Sequence, residues 1–307
     1  MSRTSPSVAI VVVTYNNKDD TRACLASLRE LTYQNLRLIV VDNGSFPRED
    51  DGLRAELGET ADILRIDNNR GYGPGANVGI ERALEQGADF VWLVNNDALV
   101  DAASLTAVIE AAASDDAAGI LSPVITAPVG PEAPSGVWYA GGSIDLARPE
   151  TRHAHELPTG LAPFPTGYVT GCAMVVRSSV FRDVGLLRED FYLYWEDVDL
   201  NLRALRHGWG LVVVPRARVF HKVHGSVPAR SIRRYPGRNA MWIVALHADV
   251  PTYLHVVIRQ AIAVARAWVA AMLRRRPRPW PETLGYLQGI AGAPSAKSRT
   301  IRRPPQA

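Results

Sequence analysis

Three acidic residues follow a run of aromatic residues and give the sharpest chemical signal in the sequence. The run Phe191–Trp195 leads into Glu196, Asp197 and Asp199, which open a predicted helix. A carboxylate there tends to stay ionised, as a general base must, although acids at this position can also simply cap the helix. Adjacent helical residues point in different directions, so at most one of Glu196 and Asp197 is the base. We predict Asp197 as the base and Glu196 as a ligand of the acceptor hydroxyl, with Asp199 about 200° round the helix as a cap or facing a neighbour.

A fourth acid ends an apolar, strand-like run. In Asn95-Asn96-Asp97 a lone carboxylate, combined with water and a diphosphate, suits Mg²⁺ or Mn²⁺. The alternative role for Asp97 is an acid at the N-terminus of the following helix. His221 and His224 come after another strand-like segment. A lone histidine is more often structural, but one of the two could join Asp97 as a metal ligand.

Polar residues after three earlier apolar runs have the chemistry of a nucleotide site. Thr14, Tyr15 and Asn16 follow the first run. Asp42 follows the second and could accept a hydrogen bond from the imide N–H of uracil or thymine, although its Asp-Asn-Gly-Ser context is also strong turn chemistry. Arg70 follows the third, beside glycines that let a ligand approach the backbone, and its planar guanidinium suits a diphosphate. The alternative for Arg70 is a surface arginine in a turn.

The elements that must position these residues alternate between strands and helices. The sequence predicts strands at Val8–Val13, Leu36–Val41, Ile63–Ile66 and Phe90–Val94, with helices at Asp19–Leu31, Asp51–Leu57, Pro74–Gln86 and Ala102–Ala113. This alternation predicts an α/β fold whose mostly parallel central sheet has helices on both faces. Ligands of open parallel sheets bind at the carboxyl ends of the strands, so four polar strand ends would build one continuous crevice.

The glycine-rich stretch from Gly71 to Gly79 resembles a dinucleotide-binding fingerprint, but its position argues against that role. The fingerprint belongs directly after the first strand of its unit, with a helix opening on it. Here the residues after the first strand, Thr14 to Asn17, contain no glycine, and the glycines follow the third strand. We therefore exclude a dinucleotide site.

The rest of the chain is less regular. Residues 126–165 are rich in proline and glycine, and we expect a long surface loop or a short β excursion there. Further along, the pattern predicts a strand at Val169–Val176, helices at Ser178–Val184 and Asp197–His207, and short strands at Leu211–Val214 and Arg218–His221. Residues 239–273 are apolar and mostly helical, broken near Pro251, and an irregular tail follows Arg276. We expect a catalytic domain over residues 1–226 and a helical, basic extension over 227–307.

Charge divides the chain into two unlike parts. Residues 1–200 carry 15 Lys/Arg and 29 Asp/Glu, a net −14, whereas residues 201–307 carry 19 Lys/Arg and two acids, a net +17. Charges and Pro251 interrupt the apolar segment, so we expect it to lie at a membrane interface or pack on the body, not to span a bilayer. A cluster that favours anionic lipid follows it: Arg274, Arg275, Arg276 and Arg278. The alternative is a helix packed on the core or on a second subunit.

The two cysteines, Cys24 and Cys172, have neither disulfide-framework nor metal-site spacing, which is typical of core residues in a reducing compartment. Residues 1–7 are short and polar, without a secretory signal pattern. We therefore expect a cytoplasmic protein, with peripheral association at the inner face of the cell membrane and no nucleic-acid partner.

Seven segments, in order from Val8 to about Ser226, resemble glycosyltransferase family 2, and within it the rhamnosyltransferase-like bacterial members. Each segment is weak alone, but all seven at these spacings are specific. They are Val-Val-Thr14-Tyr-Asn, Val-Asp42-Asn-Gly-Ser, Asn69-Arg-Gly-Tyr-Gly-Pro-Gly-Ala-Asn77-Val-Gly, Trp92-Leu-Val-Asn-Asn-Asp97, Thr170-Gly-Cys-Ala-Met-Val-Val-Arg177, Tyr194-Trp-Glu-Asp197-Val-Asp-Leu and Val219-Phe-His221. Beyond Ser226, the pair Arg238-Asn239 also resembles one found after the core of such enzymes.

The resemblance implies a GT-A fold, the nucleotide-diphospho-sugar transferase architecture, and an inverting, metal-dependent reaction. It implies Asp97 as the metal-binding end of a DxD-like motif, His221 as a further metal ligand and Asp197 as the base. The motif contains a single acid, so metal affinity is weak or supplemented by the diphosphate. Together with the polar strand ends, the resemblance gives a candidate nucleotide-sugar site of Thr14, Tyr15, Asn16, Asp42, Arg70, Gly71, Asn77, Asn95, Asn96 and Asp97.

The predicted function is transfer of a sugar, from dTDP-rhamnose or a UDP-sugar, to a hydroxyl of a glycan or lipid-linked glycan acceptor in cell-envelope polysaccharide synthesis. Asp197 would take the proton while a cation held by Asp97 and His221 stabilises the leaving nucleoside diphosphate. One alternative is a nucleotidyltransferase that makes nucleotide sugars, but it should carry a glycine-rich basic loop after the first strand, which residues 14–18 lack. The other alternative is a non-catalytic scaffold that binds membranes through the basic tail.

Overall fold

A computed structural model of the protein describes residues 5–157, 159–223, 234–273, 280–298 and 301–304, with the backbone alone for 294–298. The first half alternates strands and helices close to the predicted bounds. Its elements are β1 (Val8–Thr14), α1 (Lys18–Arg29), β2 (Leu36–Asn43), α2 (Asp50–Leu57), β3 (Ala61–Ile66), α3 (Tyr72–Glu85), β4 (Phe90–Asn95), β5 (Ala98–Val100), α4 (Ser104–Ser114) and β6 (Ala118–Thr126).

The second half begins with short strands and ends with helices. Its elements are β7 (Val137–Tyr139), β8 (Gly142–Asp145), β9 (Glu150–His153), β10 (Phe164–Pro165), β11 (Ala173–Arg177), α5 (Ser178–Val184), α6 (Glu196–Arg206), β12 (Gly210–His221), α7 (Arg234–His247), α8 (Val250–Leu273) and α9 (Trp280–Ser298). The loop expected over 126–165 therefore contains four short strands, and the tail expected to be irregular contains α9.

Ten of the described strands form one mixed sheet, ordered β10-β12-β6-β11-β4-β1-β2-β3, with β5 beside β12 and β7 beside β6. The four neighbours β3, β2, β1 and β4 run parallel, and so do β6 and β12. Strand β11 lies antiparallel between β4 and β6. Strands β8 and β9 pair separately as a hairpin. The sheet is thus mostly parallel at its centre, as the alternation of elements predicts.

Helices cover both faces of the sheet, because successive strand residues point to opposite sides. On β1, Ile10 and Val12 belong to a core shared with α1 and α4, whereas Ala9 and Val11 belong to a core shared with α3 and α5. Gly79 of α3 makes the second contact possible, since a Cβ there would lie 2.4 Å from a methyl group of Val11. Gly79 therefore allows α3 to pack closely on the sheet.

The C-terminal helices are continuous with the catalytic body. Trp242 and Ile243 of α7 lie in the same core as β1 and α4. Further on, the Arg302 backbone carbonyl accepts a hydrogen bond from the Leu186 N–H at 2.9 Å, and its guanidinium lies 2.8 Å from Glu81. The chain at 301–304 thus returns to the body. The boundary predicted at 226/227 lies outside the described residues.

Candidate active site

The polar strand ends lie at one edge of the sheet. Parallel pairing aligns Thr14 of β1 with Asp42 of β2, and Val13 of β1 with Asn95 of β4. Asn43 of β2 aligns with Ile66, the last residue of β3. The loops that follow these four strands therefore meet in one region, which is the place expected for a crevice in a parallel sheet.

The loops after β1 and β2 are tied to each other. Thr14 is buried, and its hydroxyl pairs with Thr21 at 2.8 Å. Asn16 has a left-handed backbone (φ 51°), and its side-chain oxygen accepts a hydrogen bond from the Phe46 N–H at 2.7 Å. Tyr15 between them is half-buried. Since Asn16 is exposed, this corner presents polar groups to solvent at the edge of the sheet.

Asp42 is fully buried and turned toward the protein. Its Oδ1 accepts a hydrogen bond from the Ser45 N–H at 2.9 Å, and its Oδ2 forms an ion pair with Arg65. The observed contacts therefore fix the turn after β2. Arg65 was not among the site residues predicted from the sequence. Pairing the two predicted strands in register would have suggested it, because Arg65 of β3 lies directly opposite Asp42 of β2.

The loop after β3 lies against the aromatic residues that precede α6. Arg70 is about half exposed, and its guanidinium lies 3.6 Å from Glu189. Gly71 has φ 101°, and a Cβ there would lie 2.2 Å from the Tyr192 carbonyl oxygen. The next N–H, that of Tyr72, donates a hydrogen bond to the same oxygen at 2.6 Å. Gly71 therefore lets another protein segment approach, whereas the sequence had suggested a ligand.

Asn77 lies within α3, fully buried. Its amide nitrogen donates to the Leu187 carbonyl at 2.9 Å and to Glu189 at 3.2 Å, and its oxygen accepts from the Leu187 N–H at 3.0 Å. Both ends of the side chain thus bind the segment before the aromatic residues. These contacts do not support the predicted nucleotide contact, and we leave Asn77 out of the donor site proposed below.

The turn after β4 brings Asp97 to His221. Pairing of β5 with β12 sets Ala98 opposite His221, and the Asp97 Oδ1 lies 3.2 Å from the His221 Nε2. Both side chains are nearly buried. Burial lowers the pKa of His221, but Cys172 and Asp97 outweigh this effect and raise it to about 10. His224 lies outside the described residues.

This pair would supply one carboxylate oxygen and, once an incoming cation displaced the proton of His221, one imidazole nitrogen. Such a donor set suits Mn²⁺ and leaves further positions for phosphate and water. Among the described residues, no group of three or more His, Cys, Asp or Glu side chains is arranged to hold a metal ion. The pair therefore fits a divalent cation whose remaining ligands come from the donor. Asn96 braces the turn by donating to the Thr21 hydroxyl at 3.0 Å.

Asp197, in the first turn of α6, accepts three hydrogen bonds. Its Oδ2 accepts from the Tyr168 hydroxyl at 2.6 Å and from the Gly171 N–H at 2.8 Å, and its Oδ1 accepts from the Val198 N–H at 2.8 Å. Burial and the Asp197 charge raise the pKa of Tyr168 well above its usual value, so the phenol stays protonated as a donor. These bonds fix the orientation of the Asp197 carboxyl group.

Glu196 stands beside Asp197 in the opposite environment. It is buried, and among the described residues its Oε2 has no hydrogen-bond partner. Burial, and then the charge of Asp197, raise the pKa of Glu196 to about 8. Asp199 is buried too, but it lies 2.7 Å from both Arg203 and His247, and faces neighbouring groups as expected.

Residues 191–195, the aromatic loop, carry the chain into α6 with an unusual backbone. Tyr192, Tyr194 and Trp195 all have positive φ, at 66°, 70° and 75°. Residues other than glycine rarely adopt this backbone conformation. Asn239 of α7 holds the loop by donating to the carbonyls of Phe191, Leu193 and Tyr194 at 2.8–3.0 Å. Arg238 also donates to the Phe191 carbonyl, at 2.6 Å. The sequence had shown only that this pair resembles one found in related enzymes.

Comparison with known proteins identifies the family. The sequence pattern described as "Glycosyl transferase family 2" matches residues 9–185, more than half of the chain. The chain belongs to this family. It is 29% identical over 262 residues to an N-acetylglucosaminyl-diphospho-decaprenol L-rhamnosyltransferase of Mycobacterium tuberculosis, covering 78% of this chain and 84% of that protein. It is 23% identical to a dTDP-rhamnosyl transferase of Shigella flexneri, covering 81% and 83%.

The fold is also shared with solved glycosyltransferases. A structure of GalNAc-T7 with UDP, GalNAc and Mn²⁺ superposes with a TM-score of 0.65 at 15% identity, covering 98% of this chain and 56% of that one. The family 2 glycosyltransferase described here therefore has the GT-A fold that its sequence implied, with C-terminal helices added.

Two residues missed in the sequence connect the halves of this glycosyltransferase site. The Gly171 N–H binds Asp197, while the adjacent Cys172 carbonyl accepts a hydrogen bond from the Asn95 N–H at 2.8 Å. Tyr72 lies close to both acids. Burial raises its pKa, and so do the charges of nearby groups, which are Glu196, Cys172, Asp197 and Asp97. One short segment thus joins the predicted base to the turn that carries Asp97.

Proposed function

We propose that this glycosyltransferase moves a sugar, with inversion at the anomeric carbon, from a nucleoside diphosphate donor to a hydroxyl of a lipid-linked glycan acceptor. The donor we favour is dTDP-rhamnose, with a UDP-sugar as the alternative. The two rhamnosyltransferases similar to this chain support this choice, one by its dTDP donor and the other by its diphospho-decaprenol acceptor. The proposed place of action is the cytoplasmic side of the cell membrane, in cell-envelope polysaccharide synthesis.

The observation that carries the proposal is the bridge formed by Gly171 and Cys172. A displacement reaction needs a base on one side of the sugar and a means of stabilising the leaving group on the other. The bridge holds Asp197 at one end and the turn of Asp97 at the other. Two acids from distant parts of the sequence are thereby fixed relative to one another.

In the proposed reaction, Asp197 accepts the proton of the acceptor hydroxyl. The acceptor oxygen forms a bond to the anomeric carbon as the bond from that carbon to the diphosphate oxygen breaks. A single displacement of this kind inverts the anomeric centre. Asp97 and His221 would hold a divalent cation, which when bound neutralises charge on the nucleoside diphosphate. The half-exposed guanidinium of Arg70 would exchange its contact with Glu189 for one with the same diphosphate.

Asp197 is the proposed base because its two oxygens are used unequally. Oδ2 accepts from Tyr168 and Gly171, which fixes the orientation of the carboxylate. Among the residues that the structure describes, Oδ1 accepts only from the Val198 N–H that follows it, so it keeps a lone pair for an acceptor hydroxyl. Glu196, which holds its own proton near neutral pH, would donate to a second acceptor oxygen.

The donor nucleotide would occupy the edge formed by Thr14, Tyr15, Asn16, Asp42 and Arg70, beside the Asn95–Asp97 turn. Asn16 and Arg70 are the exposed members of this set. Both oxygens of Asp42 already bind protein groups. The nucleobase of the donor would therefore contact either the remaining lone pairs of Asp42 or the loop that Asp42 fixes.

The test is release of nucleoside diphosphate over a panel of dTDP-, UDP- and GDP-sugars, with and without Mn²⁺. We expect turnover with dTDP-rhamnose, stimulation by Mn²⁺ over Mg²⁺, and loss of activity in excess chelator. Asp97→Ala should remove activity, whereas the control Asp116→Ala, at a fully exposed acid, should not. Full activity in chelator would refute the metal assignment, and no release from any donor would refute the enzyme.

A further inference from the structure

Helix α8 exposes an apolar face along its whole length. Only Val256 and Ala271 of its 24 residues are buried. At about 100° per residue, the large exposed apolar side chains fall within an arc of about 140°. These residues, between 47% and 80% exposed, are Val250, Leu254, Ile258, Ile262, Val269, Met272 and Leu273.

The first turns of α8 are seated on the protein through the face opposite this stripe. Val256 packs in a small core with Met241 and Val244 of α7, and Tyr253 and Val257 pack against the same core. The start of the helix is therefore fixed on α7, with the apolar stripe directed outward.

Helix α9 extends this surface. Its residues Trp280, Leu284 and Leu287 are spaced to share one face and are each 45–59% exposed. Trp268 of α8 joins the two helices, because its ring lies edge-on to Trp280 at 4.8 Å and its indole N–H donates to Thr283 at 3.1 Å. Exposed tryptophan beside aliphatic residues is typical of surfaces at a membrane interface.

The charges around this stripe favour an anionic surface. Helix α8 contains no acid. Measured from Val250, its two arginines, Arg259 and Arg266, lie at about 160–180° round the helix, next to the apolar arc, which ends at about 140°. From there their side chains can reach lipid headgroups while the apolar residues enter the bilayer. A second copy of this chain would instead bring the arginines of two α8 helices together, with no acid on either helix to pair with them.

We propose that α8 and the exposed face of α9 form a surface that lies on an anionic lipid bilayer. The inference deepens the proposed function, on whose lipid-linked acceptor it rests. Helix α8 is long and apolar enough to cross a membrane. However, Arg259 and Arg266 divide its length and its first turns pack on α7, so it lies in the interface plane.

The geometry links this surface to the catalytic crevice through one helix. Near its start, α7 holds the aromatic loop through Asn239, and its Tyr235 ring stacks on Tyr192 at 4.8 Å. Its end is separated from α8 by two residues, Ala248 and Asp249. A bilayer under α8 thus lies at a fixed distance from the acids that would meet a lipid-linked acceptor.

The test is co-sedimentation of the full chain with vesicles of phosphatidylglycerol and phosphatidylcholine at low salt. We expect binding to the mixed vesicles, weaker binding to phosphatidylcholine alone, and release by salt or carbonate. A triple variant, Leu254→Glu, Ile258→Glu and Ile262→Glu, should lower the partition coefficient about tenfold or more. A control with three equally charged changes on exposed residues elsewhere, Val129→Glu, Leu157→Glu and Leu161→Glu, should bind as the unchanged protein does.

Donor hydrolysis without vesicles, measured in parallel, reports on the catalytic site and should be equal in all three proteins. Failure of the unchanged protein to sediment, or undiminished binding of the triple variant, would overturn the proposal even if hydrolysis is normal. Resistance to carbonate would show a spanning helix. A dimer in light scattering that the triple variant converts to monomer, without vesicle binding, would assign the face to a second copy.

Discussion

Glu196 and Asp197 are neighbours in sequence and both carry a carboxyl group, yet their surroundings differ. Asp197 accepts hydrogen bonds from three donors. Glu196 is buried with one oxygen unpartnered among the described residues, and its pKa is raised to about 8. Opposite environments for paired carboxyl groups are a common means of dividing acid and base roles.

Replacing Asp197 by asparagine should abolish proton acceptance and preserve size. We expect turnover to fall by about 10²–10⁴-fold, the usual cost of losing a general base, with nearly unchanged affinity for the donor. Transfer rates, with donor affinity from calorimetry, measure both quantities. Near-normal turnover in Asp197→Asn, together with collapse in Glu196→Gln, would move the base to Glu196, and Asp199→Asn serves as a neighbouring structural comparison.

Glu196 should also make stability depend on pH. Its pKa rises from about 4.3 in the unfolded chain to about 8 in the folded protein. Between these values the folded protein holds a proton that the unfolded chain has lost, so stability falls as pH rises from about 4.5 to 8 and then levels. The neighbours that bear on this proton are Asp197, Tyr72 and Tyr194.

Glu196→Gln should remove this decline. The free energy of unfolding of the variant, measured relative to the unchanged protein, should therefore be about 2 kcal/mol or more higher at pH 9 than at pH 5. Urea unfolding at several pH values measures it. The exposed change Glu156→Gln should leave the decline in place. Parallel pH profiles for Glu196→Gln and the unchanged protein would contradict the assignment.

The sequence identified which residue types carry the chemistry better than it identified their partners. The resemblance paired Asp97 with His221, and they lie 3.2 Å apart. It also assigned Asn77 to the nucleotide, but Asn77 is buried against Leu187 and Glu189. Motif position along the chain reports that a residue matters. Whether it faces a ligand or the protein depends on tertiary packing, which no single segment contains.

At the scale of elements, the aromatic loop is held in a costly backbone conformation by α7. Three residues with positive φ cost on the order of 1–3 kcal/mol each and persist only where surrounding contacts determine them. Asn239 supplies three of those contacts from a fully buried position. We regard Asn239 as a positioning residue for the helix that opens with the two acids.

Asn239→Ala should therefore lower kcat by about tenfold or more while leaving donor affinity within about twofold, because misplacement of catalytic groups affects turnover first. Separate measurement of kcat, KM and donor affinity distinguishes this outcome from general unfolding. Pro236→Ala, on the exposed side of the same helix, is the matched control. Equal losses of kcat and donor affinity in Asn239→Ala would point to a folding defect instead.

The elements that the sequence predicted well are those with uninterrupted apolar runs, such as β1 and β2. Strand β6 was missed and β12 was predicted as two strands, and in both cases a proline interrupts the pattern, since proline removes a donor from the ladder. Pro215 lies where the register of β12 shifts, between Val214 and Arg218. The interruption is thus a local irregularity within one strand.

At the scale of the whole molecule, the sequence predicted a catalytic domain over residues 1–226 and a helical, basic extension over 227–307, but contacts cross that division. Asp199 of α6 depends on His247 of α7. Arg302 contacts Glu81 and Glu189 on the body. Opposite net charges therefore meet within one fold, a result that counting charges along the chain could suggest but not locate.

A chain ending at residue 226 should consequently fail to fold stably. It lacks Trp242 and Ile243 from the core and leaves Asp199 with Arg203 alone, and loss of one hydrogen-bond partner of a buried polar group typically costs about 1–3 kcal/mol. We expect a lowered or absent cooperative thermal transition, monitored by circular dichroism. Deleting only residues 299–307 should have a much smaller effect. A transition at the full-length temperature for the 226-residue chain would show two independent domains.

The hold of α7 on the aromatic loop also orders events during synthesis. Every candidate catalytic and metal-binding residue lies at or before His224, whereas Asn239 follows it. The ribosome therefore releases Asp97 and Asp197 before the helix that holds the aromatic loop exists. A nascent chain that has just emerged with these acids should therefore be enzymatically inactive. Likewise, a premature stop codon after codon 226 should yield a polypeptide that contains every candidate reacting group but has no turnover.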